Sequence, residues 1–277
     1  MDNMLGKLDN SPLGKKSQYE TQYNPDLLFP ITREGKRKAL GLNLQSLPFY
    51  GRDLWYAYEL SWLDTKGKPM VRIGAFELPF DTPNIIESKS FKLYLNSFNQ
   101  TVFADEACVH RVLTKDLSAA AGGDISITLM TIEALEAIGF HQAPGKCLDD
   151  MDIEVNCYDY APSLLKKAGG QAKEVLCSHL LKSNCLVTGQ PDWGSLVIEY
   201  EGEAIDHASL LQYICSFREH HEFHEQCVER VFTDLINAFQ LYELTVYAQY
   251  IRRGGLDINP WRSTKNIIPE QHRFIRQ

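Results

Sequence analysis

Apolar and polar positions recur with two periods along the chain, and the switches between them mark its elements. Leu54–Leu63 is aromatic-rich and bounded by Gly51 and by the turn residues Asp64–Gly67. That pattern predicts a strand running into a hairpin, with Val71–Pro79, alternating at about period two, as its partner. Beyond Pro83 the period lengthens. Phe91, Tyr94, Leu95 and Phe98 stand at i, i+3, i+4 and i+7, one apolar face of a helix over Glu87–Phe98 that Ser88 or Ser90 could cap. A second helix is expected over Glu106–Ala121 and a strand over Ile125–Thr131.

The second half repeats the plan weakly. Strands are expected at Ile153–Tyr158, near Leu176–Lys182 and at Ser195–Tyr200, helices at about 207–217 and 222–239, and a last strand at Leu244–Tyr250. Cys227, Val228, Val231, Phe232, Leu235 and Ile236 share one face of the second of these helices. Each half reads as strand, strand, two helices, then strands. This is a duplication of plan, not a repeat visible as sequence identity. Hairpins flanking paired helices indicate an α+β fold with antiparallel sheets and helices on one face. Residues 1–35, rich in Asn, Ser, Gly, Lys and Pro, read as an extended arm with a turn at Ser11-Pro12 and a basic run at Lys15-Lys16. The expected division is an arm over 1–35, a first module over 36–145 and a second over 146–277.

Composition narrows the function. At 277 residues, 44% apolar and 23% charged, the chain is ordinary for a globular protein. A net charge of −8 argues against a general affinity for nucleic acid or anionic membrane. No signal-peptide pattern and no stretch of membrane-spanning length is read. Seven cysteines then suggest free thiols in a reducing cytoplasm.

Among those thiols, Cys185 stands before a bend at Gly189-Gln190-Pro191, with Asp192 seven residues on. A lone free cysteine is commonly a small buried apolar residue. A thiol and an acid on one loop also permit covalent chemistry, the sulfur attacking and the acid supplying a proton. Cys215, His220, His221, His224 and Cys227 superficially allow zinc, His220 and His224 sharing a helix face. However, Cys227 belongs to the apolar stripe and H-E-x-x-H fails, so a polar helix start with a solvated histidine pair is expected and no metal is assigned. Glu87 and Glu225, each at a helix entrance, could accept paired N–H groups of a guanine-like edge or simply face the helix dipole. Arg252-Arg253-Gly254-Gly255, opening a run to Arg262 read as a loop after the last strand, could hold phosphate. Neither a Rossmann glycine fingerprint nor a Walker A sequence is present.

Together, Cys185–Asp192, Glu87–Tyr94, Phe223–Gln226 and Arg252–Gly255 resemble the NADPH-dependent 7-cyano-7-deazaguanine reductases, nitrile reductases of queuosine biosynthesis. The resemblance spans about 35–265 and is to the long, two-module form. It implies tandem tunnelling-fold (T-fold) modules and a likeness to homodimeric enzymes. It also implies that Cys185 attacks the nitrile to form a thioimide and that Asp192 protonates its nitrogen. Asp192 must then be protonated when substrate binds, a direction burial favours. By the same resemblance Glu87, Ser88, Lys89, His224 and Glu225 meet the substrate, His224 either assisting proton transfer or orienting it. Lys89, Ser90, Arg253 and Gly254 meet NADPH. Two alternatives stay open at this point: a zinc cyclohydrolase-like enzyme using Cys215, His220 or His224, and a purine- or pterin-binding module with a structural Cys185.

Overall fold

A computed structural model describes residues 19–268 and 273–277. The turn expected at Ser11-Pro12 and the basic run at Lys15-Lys16 lie outside the described residues. The chain's described residues divide into two compact units: those within 19–45, 53–138 and 252–257 form one, and those within 46–52, 139–251, 258–268 and 273–277 the other.

The first unit opens with a short strand β1 (Pro30–Thr32) and a helical turn α1 (Glu34–Ala39). A long hairpin follows, β2 (Tyr50–Leu63) and β3 (Pro69–Pro79), then β4 (Asn84–Ile86), helices α2 (Ser88–Asn96) and α3 (Glu106–Ala121), strand β5 (Ser126–Met130) and α4 (Ile132–Ile138). The strand order is β5-β3-β2, with β1 paired to β4. The apolar face expected on α2 is buried. Phe91 meets Trp55 of β2 and Phe76 of β3 edge-on, with ring centroids 5.4 and 5.1 Å apart. Burying each such side chain contributes about 1.5–3 kcal/mol. Val109, Leu113, Leu117 and Ala121, spaced by four, are the fully buried stripe of α3. Tyr23, from the stretch expected as an arm, packs its ring 5.5 Å from that of Phe98.

The second unit holds β6 (Lys146–Cys147), β7 (Lys167–Asn184), β8 (Pro191–Ile205), α5 (His207–Cys215), α6 (His224–Ala238), β9 (Leu241–Tyr250) and most of β10 (Leu256–Ser263). Its order is β10-β9-β8-β7-β6. All of these pairs are antiparallel except β6 with β7. The fold is therefore α+β with paired helices flanking largely antiparallel sheets.

The duplication reaches individual hydrogen bonds. In the first unit Tyr23 and Tyr94 both donate to Asp116 Oδ2 at 2.7 Å. In the second, Tyr160 and Tyr213 both donate to Asp234 Oδ2, at 2.8 and 2.5 Å. Glu87 caps α2 and Asp206 caps α5. The Ser90 hydroxyl donates to Glu87 O and the Ser209 hydroxyl to Asp206 O. This corrects the expectation that the repeat is invisible in sequence. Glu87, Ser90, Tyr94, Ser97 and Phe98 recur at the same spacing as Asp206, Ser209, Tyr213, Ser216 and Phe217. Few positions are shared because only those closing the frame, by hydrogen bonds or by the edge-on packing of Phe98 on Tyr94 and Phe217 on Tyr213, are held in common.

Three further expectations change. Residues 153–158 form no strand: Glu154 O is taken by the Gln212 side chain and Tyr158 O by Glu219 N–H, so this alternating stretch lies along a helix instead of a sheet edge. The strand at 241–250 is not the last. Leu256–Ser263, read as loop because of its glycines and Pro260, is a strand that pairs Trp261 with Tyr247 and Ser263 with Thr245. Its Arg262 is fully buried and paired with Glu229 at 2.8 Å, so it is committed to the core. Finally, Glu87, not Ser88 or Ser90, caps α2, its carboxylate accepting from the N–H groups of Lys89 and Ser90 at 2.7 Å each.

Candidate active site

The hairpin between β7 and β8 is closed by its own backbone. Cys185 N–H donates to Gln190 O at 2.8 Å and Gly189 N–H donates to Cys185 O at 3.0 Å. Gly189 has φ +66°, a left-handed conformation that favours glycine. The ladder pairs Asn184 with Pro191 and Ser183 with Asp192. Asp192 is thereby returned to a position across from Ser183, two residues before the sulfur. Cys185 and Asp192 are 4% and 6% exposed.

A second segment is laid against this hairpin. Asn184 N–H donates to His220 O at 2.8 Å, and Glu222 N–H donates to Asn184 O at 3.1 Å. Residues 220–222 therefore run beside the base of the Cys185 loop and deliver the start of α6 to it. Glu222, buried, fixes that approach by accepting two bonds from Arg230, at 2.7 and 2.8 Å, with His220 Nε2 at 3.0 Å. His224 then places Nε2 3.4 Å from Asp192 Oδ2. Its ring stacks on Tyr250 at 3.8 Å with an interplanar angle of 8°. Glu225 is buried in the same first turn.

This corrects the solvated histidine pair. His220 precedes α6 and is held by Glu222, whereas His224 begins it, so they share no helix face. Cys215, His220, His221, His224 and Cys227 form no converging ligand group among the described residues. Burial pushes the Cys227 thiol up to about 12, as suits a core residue.

Several polar atoms of this region are buried without a hydrogen-bond partner among the described residues: Ser183 Oγ, His224 Nδ1 and both atoms of the Gln226 amide. Buried polar groups are nearly always satisfied, so unmet ones at a thiol, a carboxyl and an imidazole point to a polar ligand. The N-cap position of α6 is Phe223, with no side-chain cap, which leaves first-turn N–H groups for other acceptors. A thiol on one hairpin with an acid that lies against a histidine suits attack on an electrophilic carbon with protonation of the atom bonded to it.

Residues 19–129 match a family model described as nitrile reductase, 7-cyano-7-deazaguanine-reductase N-term, and residues 191–268 match one described as QueF-like protein. The chain belongs to the QueF family of nitrile reductases. Asp192, His224 and Glu225 fall inside the second QueF match and Glu87–Ser90 inside the first. Cys185 lies between the two.

In this QueF enzyme the remaining expected residues are in the first unit. Ser88, Lys89 and Ser90 form the first turn of α2. Burial raises the Glu87 carboxyl, opposed by the N–H groups of Lys89 and Ser90 and by the ammonium groups of Lys89 and Lys92. The Ser90 hydroxyl also accepts from Phe29 N–H at 3.0 Å. Gly254 has φ +57°, and a side chain there would run into the Lys92 ammonium. The Arg252–Gly255 turn is thus set against α2. Arg253 N–H closes it on Leu256 O at 2.8 Å, and Arg252 lies 3.5 Å over the Tyr58 ring. A cavity of about 60 Å³ lies here, lined in part by Lys92, Asn96 and Gly254. Lys92 was missed in sequence, although its spacing of three from Lys89 would have put both cations on one helix face. Nothing in sequence marks Tyr250 or Ser183, whose places depend on strand register.

Proposed function

We propose that the chain reduces the nitrile of 7-cyano-7-deazaguanine to the aminomethyl group in queuosine biosynthesis, with NADPH and through a thioimide on Cys185. The observation that carries this reading is the buried Cys185 hairpin with Asp192 and the His224 imidazole 3.4 Å apart, in a chain of the nitrile reductase family. The Cys185 thiolate adds to the nitrile carbon and the Asp192 carboxyl gives its proton to the nitrogen, leaving C(=NH)–S. On reduction the C–S bond breaks, the thiolate leaves and an imine remains for the second reduction. His224, held flat on Tyr250, orients the substrate or relays the proton. Glu87 and Glu225 accept the paired N–H groups of the deazaguanine edge, with Ser88 and Lys89 beside it.

NADPH, when bound, supplies the two hydrides that this four-electron reduction needs. The residues present suit it: Gly254 lacks the Cβ that would fill the space against Lys92, and Lys89, Lys92 and Arg253 bring cations for its phosphates. The Ser90 hydroxyl holds the turn from which Lys89 projects. The catalytic cysteine belongs to the module over 146–277 and the Glu87 motif to that over 36–145. The net charge of −8 favours the free base over tRNA as substrate, and a cytoplasmic homodimer is the expected working form. Nitrile-dependent NADPH oxidation tests the reading: two NADPH should be consumed per amine formed. Asp192→Asn should slow turnover by about 10²–10⁴-fold. Absence of nitrile-dependent oxidation by the wild type would contradict the function, and an unimpaired Asn variant would contradict the proton role.

A further inference from the structure

We propose that Cys147, Asp149 and His179 form a zinc site on the second unit, separate in its residues from the nitrile chemistry. One ligand atom of each lies within 4.8 Å of those of the other two. The backbone explains the convergence. Cys147 is in register with Cys177 in the parallel pairing of β6 with β7, so Asp149, two residues on, comes beside His179, two residues beyond Cys177. Asp149 is fixed there by the Ser178 hydroxyl at 2.6 Å and His179 N–H at 2.9 Å. Each carboxylate oxygen keeps a further lone pair.

The imidazole decides between a ligand set and a nucleophile. In a Cys–His–Asp catalytic arrangement the carboxylate would hold the histidine ring. Here His179 Nδ1 is 2.7 Å from Ser195 Oγ, and Asp149 accepts from the Ser178 hydroxyl and the His179 N–H, not from the ring. With Nδ1 anchored on a hydroxyl, Nε2 is the ring nitrogen left to bind an ion, and a hydrogen bond at the other nitrogen orients a metal-bound histidine. Thiolate, imidazole and carboxylate are the donors of Zn²⁺, and a thiolate disfavours Mg²⁺ and Ca²⁺. Three protein ligands leave a fourth position. It would face a cavity of about 520 Å³ that Cys147 and His179 border, lined also by Phe140, His141, Phe274 and Arg276. Cys147 is exposed, so the ion can enter from solvent.

The test is titration of full-length protein with Zn²⁺ against a chromophoric chelator, with Co²⁺ as a spectroscopic substitute. One zinc per chain is expected, with a thiolate-to-cobalt charge-transfer band. Both should be lost in Cys147→Ala, an exposed change that should leave folding and nitrile reduction intact, and in His179→Gln. Cys215→Ala should retain both. Absence of stoichiometric zinc, retention in both the Cys147 and His179 variants, or loss in Cys215→Ala would each overturn the proposal.

Discussion

At the scale of single residues, a carboxyl gripped by two phenols recurs in each unit and carries a pH signature in one. Burial raises the Asp234 carboxyl above its ordinary 3.8, opposed by the Tyr213 and Tyr160 hydroxyls and by Arg230. A raised acid binds its proton more tightly folded than unfolded. Its contribution to stability is therefore full below the unfolded value and is lost as pH rises through the folded one. Asp234→Asn should remove that slope, so the variant should gain stability relative to wild type as pH rises above the unfolded carboxyl's ordinary value of about 4 in urea melts. A constant difference would show that Asp234 titrates alike in both states. Site legibility divides at this scale too. Cys185 and Asp192 were readable because seven residues and a Gly-Gln-Pro bend join them. Gln226, Tyr250 and Ser183 were not, because burial without a partner, ring stacking and register arise only when distant segments meet.

At the scale of elements, the duplicated frame acts as an internal control. In the first unit the β2–β3 hairpin turns on Asp64, whose side chain accepts from Lys66 and Lys68 N–H. In the second unit the corresponding hairpin carries Cys185. The bridge of Leu63 to Val102 matches that of Asn184 to His221, so the support is the same and the tip differs. The following helices differ likewise. Asp105 caps α3 by accepting from Cys108 N–H at 2.6 Å, whereas Phe223 gives α6 no side-chain cap. Asp105→Ala should cost about 1 kcal/mol in chemical denaturation and leave activity unchanged. A loss of several kcal/mol would mean that Asp105 does more than cap. Elements with strong periodicity, such as α2, α3 and the β2–β3 hairpin, were legible. Leu256–Ser263 was hidden by Pro260 and the glycines before it, and 153–158 imitated a strand because alternation does not reveal whether a sheet edge is available.

At the scale of the whole molecule, no helix among the described residues is long and apolar enough to cross a membrane. The two units hold different parts of the proposed reaction: the thiol, acid and histidine in one, the Glu87 cap and the Arg253–Gly254 turn in the other. The duplication also separates frame from chemistry. Glu87 and Ser90 have counterparts in Asp206 and Ser209, so part of their role is to build a helix start. Ser88 and Lys89 face His207 and Ala208 in that alignment and have none. Arg253→Ala should raise the KM for NADPH about tenfold, the loss of one charge-assisted contact, while leaving the covalent step untouched, since that step needs no hydride. Equal loss of both would make Arg253 structural. The covalent step is the centre of the account, and intact-protein mass measurement tests it most directly. Incubated with 7-cyano-7-deazaguanine and no NADPH, the wild type should gain the mass of one nitrile, together with a thioimide absorbance, and Cys185→Ala should gain neither. An adduct that persists in Cys185→Ala, or a variant that still reduces the nitrile, would contradict it.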